Sequence, residues 1–231
     1  AFIVTEKELA KEIGLPDRNH KVLYPEMTAE QSMHYKRMKK DFAVVVEDIG
    51  VEEDSVMGQI HKLRGIVGGF IKTPVGIKRL LGVKERVLRK LVRKHSKSQI
   101  VVWCAYTEEI EIVCDILKSM KRTPAQYHGK LNDKEKDNAK EWFNKGQFTD
   151  IVCQGGCGVG LNEFVVADTM IYYSNTDRRR HRSQSEKRLI RPTQTAKRVN
   201  VYDIVIPDTW DENIYKNLNK KKQTSERLLN W

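Results

Sequence analysis

The chain has 231 residues, of which 39% are hydrophobic and 32% are charged, and it carries a formal net charge of +11. It is long enough to bury a substantial core, and its longest unbroken apolar run, residues 100–106, is too short to span a bilayer. Since no secretion leader is recognisable, the sequence predicts a soluble, basic, intracellular protein, cytoplasmic or associated with the nucleoid, with no membrane partner.

Residues 1–95 predict a mainly helical appendage with one exposed strand, at residues 42–49. Glu47-Asp48, near the end of that strand, mimic the acidic end of a metal-holding strand. No P-loop precedes them to bind a nucleotide, so a hairpin turn at Ile49-Gly50 explains the pair better. The predicted helices lie around residues 6–13, 28–40 and 54–67, the last ending at Gly68-Gly69.

Residues 96–231 alternate between strands and helices, which predicts a second domain built on a parallel sheet with helices on both faces. The predicted strands are residues 99–105, 124–127, 151–153, 169–173 and 199–206. Helix starts are marked by a cap at Thr107, by capping boxes at Asn132 with Glu135 and Ser183 with Glu186, and by Thr209 with Glu212. Gly146 and Pro192 mark helix ends.

Positive charge is concentrated in two windows. Residues 72–97 hold ten Lys or Arg and one acidic residue, and residues 176–200 hold nine against two. Such clusters suit a polyanion, because neutralising phosphates releases condensed counterions. In the first window, apolar residues recur at helical spacing, so a solvated helix face is an equally good explanation. The second window has no apolar stripe of that kind.

The four cysteines predict no zinc site. Cys104, Cys114, Cys153 and Cys157 form no CxxC pair, and they lie in apolar or glycine-rich stretches. They are therefore interpreted as reduced structural thiols, and no metal ligands are assigned.

The glycine-rich loop of residues 155–160 follows a strand and suggests a phosphate cradle. A dinucleotide fingerprint requires a full helix directly after the glycines, and here only residues 161–167 precede the next strand. A P-loop requires Gly-Lys-Ser/Thr, whereas Gly129-Lys130 is followed by Leu131. The glycines indicate close backbone approach, and a tight turn and a ligand contact remain equal alternatives.

Gln184, Arg188 and Arg191 are spaced i, i+4, i+7 and share one helical face, although Pro192 places Arg191 close to the helix end. Two guanidiniums and an amide in this arrangement can hold phosphate oxygens with forked donors. The alternative is a basic helix that lies on nucleic acid and has no catalytic role.

The pattern Gln184-x3-Arg188-x2-Arg191-x2-Gln194 resembles motif VI of superfamily II helicases, specifically the Snf-type branch of double-stranded DNA translocases. Residues 100–106 are similar to motif IV of that family, and Gly158-Val159-Gly160-Leu161-Asn162 is similar to motif V. Motif V has one extra residue before Asp168. The likeness covers nearly the whole chain but only the second half of such an enzyme.

The resemblance implies a RecA-like second motor lobe, preceded by the inter-lobe linker and helical appendage of residues 1–95. ATP with Mg²⁺ is then bound mainly by an N-terminal RecA-like lobe outside the sequence, and this chain alone is expected to be inactive. Arg191 is the implied arginine finger, Arg188 its partner, and Gln184 the residue that holds or senses them. The implied ATP contacts are these three residues with Gly158, Gly160 and Asn162.

The same resemblance implies double-stranded DNA as partner. Backbone phosphates are expected to meet His128, Gly129, Lys130, Gly156, Arg178, Arg179, Arg180 and Arg182. The alternative function is a non-catalytic nucleic-acid-binding module that never meets a first lobe. A Walker A sequence encoded upstream of Ala1 would distinguish the motor from the module.

Overall fold

The computed structural model describes residues 13–49, 53–157 and 164–229. Its strands are β1 (Asp17–Leu23), β2 (Phe70–Thr73), β3 (Gly76–Arg79), β4 (Ile100–Cys104), β5 (Pro124–Tyr127), β6 (Asp150–Gln154), β7 (Thr169–Tyr172) and β8 (Arg198–Ile204). Its helices are α1 (Ala29–Ile49), α2 (Glu53–Gly68), α3 (Val83–Lys94), α4 (Thr107–Ser119), α5 (Asp133–Asn144), α6 (Arg179–Leu189) and α7 (Trp210–Leu229).

Six of these strands form one sheet in the order β1-β8-β7-β4-β6-β5, and every neighbouring pair is parallel. The strands β2 and β3 form a separate antiparallel hairpin. The predicted α/β, RecA-like fold class is confirmed.

The sheet is covered on both faces because successive strand residues point to opposite sides. On β4, Ile100 and Val102 belong to the core that α3 and α4 complete, whereas Val101 and Trp103 belong to the core that α5 and α6 complete. This explains why β4 reads as an unbroken apolar run, which is typical of a central parallel strand.

A third core joins the helical appendage to the sheet. Its buried members include Tyr35 of α1, Leu63 of α2 and Ile206, which follows β8. The buried side chain of Gln31 adds polar links, since it donates to the carbonyl oxygen of Ile66 at 2.9 Å and accepts from the backbone N–H of Val83 at 2.9 Å. The appendage is therefore packed against the sheet domain.

The predicted strand at residues 42–49 is wrong, because α1 begins at Ala29 and continues through Ile49. A helix that has already begun gains one hydrogen bond for each residue added, and this outweighs the strand preference of the valines at 44–46. The hairpin turn proposed to explain Glu47-Asp48 is therefore wrong as well.

Strand β1 was missed by the sequence analysis, although it pairs with β8 over seven residues, from Asp17 with Arg198 to Leu23 with Ile204. Most of its side chains are exposed or half-buried, as expected of an edge strand, so its sequence DRNHKVL shows no apolar alternation. Residues 17–23, which the sequence assigns to the appendage, are thus a part of the main sheet.

The helix-start predictions had mixed outcomes. The capping box of Asn132 with Glu135 is confirmed in both directions, at 2.9 and 2.8 Å. At α4 the cap is Tyr106 instead of Thr107, and Glu109 accepts from the Tyr106 N–H. Ser183 and Glu186 lie inside α6, which begins after Arg178, so the predicted box there is wrong.

The predicted helix at residues 6–13 lies outside the described residues apart from Ile13. Within the described ranges, no helix combines the length and the hydropathy needed to cross a bilayer.

Candidate nucleotide and nucleic-acid interface

Helix α6 connects the two predicted sites. It has 11 residues, which corresponds to a length of about 16 Å. Ser185 and Leu189 are its buried residues, and the hydroxyls of Ser185 and Tyr172 lie 2.6 Å apart. The helix is therefore fixed on the Trp103 and Tyr172 face of the sheet, with one end near the carboxyl edge and the other near the start of β7.

The second half of α6 and the turn after it carry the predicted nucleotide residues Gln184, Arg188 and Arg191, all partly exposed. Partial burial lowers the pKa of Arg188, and the positive charge of Arg191 lowers it further. The structure therefore places the two guanidiniums close enough to repel each other.

The segment after α6 folds back onto the sheet. The helix ends at Leu189, so Arg191 lies just beyond it, as predicted from Pro192. The side-chain amide of Gln194 donates to the carbonyl oxygens of Leu189 at 3.1 Å and Ala167 at 3.0 Å. Gln194 thereby fixes the turn that carries Arg191.

The predicted DNA residues lie where strands β5, β6 and β7 end. The Gly129 N–H donates to Oε1 of Gln154 at 3.4 Å, which joins the segment after β5 to the end of β6. The Gly156 α-carbon lies against the His181 ring near the start of α6, with 3.5 Å from an added Cβ to the ring. The structure thus brings His128–Lys130, Gly156 and Arg178–Arg180 to one edge of the sheet.

The exposure of these residues fits a surface role. Gly129, Lys130, Gly156, Arg178 and Arg180 are exposed, and Arg179 is half-buried. His128 is half-buried, and burial, followed by the charge of Lys130, lowers its pKa. A histidine with a lowered pKa is neutral at physiological pH, so the charge at this edge comes from Lys130 and the arginines.

Gly155 and Gly156 differ in how much space surrounds their α-carbons. A Cβ on Gly155 would lie 2.5 Å from the Thr176 methyl carbon, so this glycine lets two chain segments pack closely. At Gly156 a Cβ would make ordinary contact. The tight-approach interpretation is therefore supported at Gly155, whereas Gly158, Gly160 and Asn162 lie outside the described residues.

Arg182 must be removed from the set predicted to face DNA. Its guanidinium pairs with Glu186 at 2.8 Å and Asp203, and its carbon Cζ lies 3.5 Å from the centroid of the Tyr172 ring. The side chain is only 13% exposed. Because these buried partners satisfy its donors, Arg182 fastens α6 to the sheet and does not present a charge to phosphates.

Sequence analysis also missed the partners of Arg182. Asp203 is fully buried and accepts from His20 at 2.7 Å and from the Asn175 amide at 2.8 Å. Burial alone would raise the pKa of Asp203, but the charge and hydrogen bonds of Arg182, with His20 and Asn175, hold it well below its usual range. An acidic residue inside the apolar strand of residues 199–206 was the available signal.

The cysteines are all free thiols. Cys104, Cys114 and Cys153 are buried, and burial raises the pKa of each. Among the described residues, no group of three or more His, Cys, Asp or Glu is arranged to hold a metal ion.

Residues 83–193 match the family model of the helicase conserved C-terminal domain. The chain contains a helicase C-terminal domain. This helicase domain runs from α3 past the end of α6, so it includes the predicted nucleotide residues and the DNA edge. No curated protein sequence shows significant similarity to the chain.

Solved structures share the fold of the helicase domain and of the appendage. The C-terminal part of the Fun30 ATPase domain aligns with a TM-score of 0.71 at 13% identity, over 88% of this chain and 90% of that one. The Sulfolobus solfataricus SWI2/SNF2 ATPase C-terminal domain aligns with a TM-score of 0.65 at 18% identity, over 89% of this chain and 87% of that one.

The Sulfolobus solfataricus SWI2/SNF2 ATPase core in complex with double-stranded DNA aligns with a TM-score of 0.73 at 20% identity. The alignment covers 90% of this chain but only 45% of that one. The chain thus spans about half of an ATPase core. The family model and the fold agree with the predicted Snf-type resemblance.

Proposed function

We propose that this chain is the second motor lobe of an ATP-dependent, double-stranded DNA helicase or translocase. The observation that carries the proposal is the match of residues 83–193 to a helicase C-terminal domain, in which the end of α6 and the turn after it bring Arg188 and Arg191 onto one partly exposed segment. Two neighbouring guanidiniums at a partly exposed helix end are suited to the concentrated negative charge of a triphosphate.

The nucleotide residues fit ATP in their chemistry. ATP supplies the transferable γ-phosphoryl group, and Mg²⁺ and most phosphate contacts come from the N-terminal lobe. Arg191 neutralises charge that builds on the phosphoryl oxygens, Arg188 assists it, and Gln184 orients the pair. Gly158, Gly160 and Asn162 complete this lobe's side of the nucleotide contact.

Duplex DNA lies along the carboxyl edge of the sheet in this proposal. The DNA backbone phosphates are contacted by Lys130, Arg178, Arg179 and Arg180. The DNA backbone comes close to the chain at His128, Gly129 and Gly156. Because α6 has DNA contacts at its start and nucleotide contacts at its end, lobe closure on ATP also moves the DNA edge. Residues 1–95 provide the inter-lobe connection and appendage together with the edge strand β1, and residues 96–231 form the rest of the lobe.

The nucleotide assignment is tested in the protein that includes its own first lobe. The variant Arg191→Ala is expected to lose DNA-stimulated ATP turnover by about 10³- to 10⁵-fold, the range known for arginine fingers. Nucleotide affinity is expected to change only a few-fold, since the first lobe holds most of the ATP. The 231-residue chain alone is expected to show no hydrolysis.

A matched control is Arg198→Ala, because Arg198 is an exposed arginine with only a long, 3.9 Å contact to Asp17. Its turnover is expected to equal that of the wild type. Turnover within tenfold of the wild type in Arg191→Ala would rule out the arginine-finger role. A coding sequence without a Walker A motif upstream would favour the non-catalytic binding module.

The DNA edge is tested by reversing the charges of Arg178, Arg179 and Arg180 together to Glu. Removing three phosphate contacts is expected to make the slope of log K against log salt less negative by about 2.7. The control reverses Lys36, Arg37 and Lys39, which are exposed on α1. Equal slopes in the two variants would show that the arginines form only a solvated surface.

A further inference from the structure

Helix α3 and the turn after it carry a row of exposed basic side chains. Arg86, Lys90, Arg93 and Lys97 are here called the basic row. The first three are separated by four and three residues, so they lie on one side of α3, and Lys97 lies in the turn that follows the helix end at Lys94. All four are exposed. They belong to the first basic window of the sequence, which the proposed motor sites do not use.

The orientation of the basic row is fixed by the opposite side of the helix. Leu88, Leu91 and Val92 are buried in the core with Ile100 and Val102 of β4. That core lies on the sheet face opposite the one that α6 covers. The basic row therefore points away from the proposed nucleotide site, from the far side of the domain.

The charges of the basic row are not balanced by nearby acidic groups. Glu85 pairs with Arg89 at 2.8 Å and Arg79 at 3.5 Å, and Asp115 pairs with Arg79 at 3.4 Å. In the described ranges, no acidic side chain forms an ion pair with a member of the basic row. Lys84, another cation of this sequence window, is buried and paired with Asp211, so it does not add charge to the exposed surface.

The composition of this surface favours nucleic acid over a protein partner. Between residues 86 and 97, every exposed residue is basic except Ser96, and no exposed apolar side chain is available as an anchor. Protein interfaces are built around apolar and aromatic centres, whereas DNA interfaces are polar and strongly positive.

The spacing of the row also suits a phosphate backbone. Arg86 and Lys90, four apart on α3, are about 6 Å apart along the helix axis, which is close to the rise of two phosphates of one strand along the duplex axis, about 6.8 Å.

We propose that the basic row binds the phosphate backbone of a second duplex DNA segment, on the side of the sheet opposite α6. This goes beyond the proposed function, which places DNA only at the carboxyl edge of the sheet. It does not depend on ATP hydrolysis, so the 231-residue chain is sufficient for the test.

The test compares the number of short duplexes bound by the chain, with a duplex of about ten base pairs titrated at about 50 mM salt. The row variant changes Arg86, Lys90, Arg93 and Lys97 to Glu. The matched control changes Lys36, Arg37, Lys39 and Lys40 of α1 to Glu, which alters net charge equally at exposed positions. Circular dichroism checks folding, and a row variant with Gln at the four positions removes charge without reversing it.

The wild type and the control are expected to bind a second equivalent of duplex that both row variants lose, with the first equivalent retained. The lost equivalent is expected to have a salt slope of about −3.6, since four phosphates are neutralised. The proposal is overturned if the row variants match the control. It is also overturned if polyglutamate of equal charge binds the row more tightly than the duplex does.

The outcome separates this inference from the proposed function. Loss of the first equivalent in the Arg178, Arg179 and Arg180 variant, with the second retained, supports two independent DNA surfaces. If that variant keeps both equivalents while the row variants lose one, the DNA edge is wrong and the basic row stands.

Discussion

Arg182 and Asp203 form a bidentate ion pair that joins α6 to β8. The nitrogens Nη1 and Nη2 of Arg182 donate to Oδ1 and Oδ2 of Asp203, the second at 2.8 Å. His20 of β1 donates to the same carboxylate at 2.7 Å, so three elements converge on one buried group. The helix that carries Arg188 and leads to Arg191 is therefore held in its first half by a charged contact.

The first prediction is that Asp203→Asn lowers the free energy of unfolding by about 3–5 kcal/mol near neutral pH, because it leaves the Arg182 charge buried without its counterion. Urea unfolding of the two proteins measures this difference. The variant Arg198→Ala, which lacks only a long surface contact, is expected to stay within about 0.5 kcal/mol of the wild type.

The same pair predicts a dependence on pH. The pKa of Asp203 is held well below its usual range in the folded state, whereas the unfolded carboxyl has a pKa of about 3.9. The stabilisation is therefore complete above that value and is lost as the pH falls below it toward the folded pKa. The difference in free energy of unfolding between the wild type and Asp203→Asn should narrow as the pH falls from about 5 to about 2. A gap that stays constant would show that the charge is not its source.

The second prediction concerns Lys84 and Asp211, which are both buried and 2.7 Å apart. Lys84 also donates to the carbonyl oxygen of Tyr173 at 2.6 Å. Lys84→Met is expected to cost about 3–5 kcal/mol, since it leaves the Asp211 carboxylate buried alone. The double variant Lys84→Met with Asp211→Asn should recover part of that loss, and a double-mutant cycle measures the coupling. Additive losses would contradict the assignment of a coupled pair.

The third prediction concerns the end of α2, where Gly68 lies against Glu109. A Cβ on Gly68 would lie 2.4 Å from Oε1 of Glu109. This carboxyl group is buried and held by the hydroxyl of Ser174 and by the N–H of Ala105 at 3.0 Å. It cannot move aside easily, so Gly68→Ala is expected to destabilise the protein by about 1–3 kcal/mol.

Gly58 provides the control for this prediction within the same helix. A Cβ there meets nothing within 4 Å. Gly58→Ala is expected to raise stability by about 0.5–1 kcal/mol, because alanine loses less backbone entropy in a helix. Thermal unfolding of both variants separates the steric effect of the Glu109 contact from the helix propensity of alanine. Equal shifts of Tm in the two variants would mean that the Glu109 contact is unimportant.

The fourth prediction concerns thiol reactivity. Cys157 is half-buried, whereas Cys104, Cys114 and Cys153 are buried. A thiol reagent should therefore modify Cys157 first, at a modest rate because partial burial raises its pKa as well. Mass spectrometry of partially modified protein identifies the site. Added duplex DNA should slow the reaction, since Gly129 lies beside the Cys157 sulfur. Earlier modification of Cys104 would contradict the burial of that side chain.

The sheet domain could be predicted from sequence where buried strands and local caps leave clear signals. Central strand β4 is an unbroken apolar run. The capping box at the start of α5 needs only Asn132 and Glu135, which lie within four residues of each other. In contrast, β1 is stabilised mainly by pairing with β8, 181 positions later in the register, and no local pattern reports such a partner. The strand predicted at residues 42–49 is wrong for a related reason, because helix propagation along α1 outweighs the strand preference of the individual residues.

The candidate site was partly predictable for similar reasons. The i, i+4, i+7 spacing predicted correctly that Gln184 and Arg188 share a helix. The same basic run could not show that Arg182 differs from Arg178 and Arg180, because the difference depends on Asp203 and Tyr172, which come from other strands. Charge composition locates a basic surface, and only the fold shows which cations are already paired.

Strand β1 joins the beginning of the described chain to β8. The chain first enters the sheet at Asp17, leaves it to build α1, α2 and the β2-β3 hairpin, and returns at Ile100. The appendage is thus anchored at both ends to one sheet. A force applied to the chain at Asp17 is therefore transmitted through seven paired residues directly to β8.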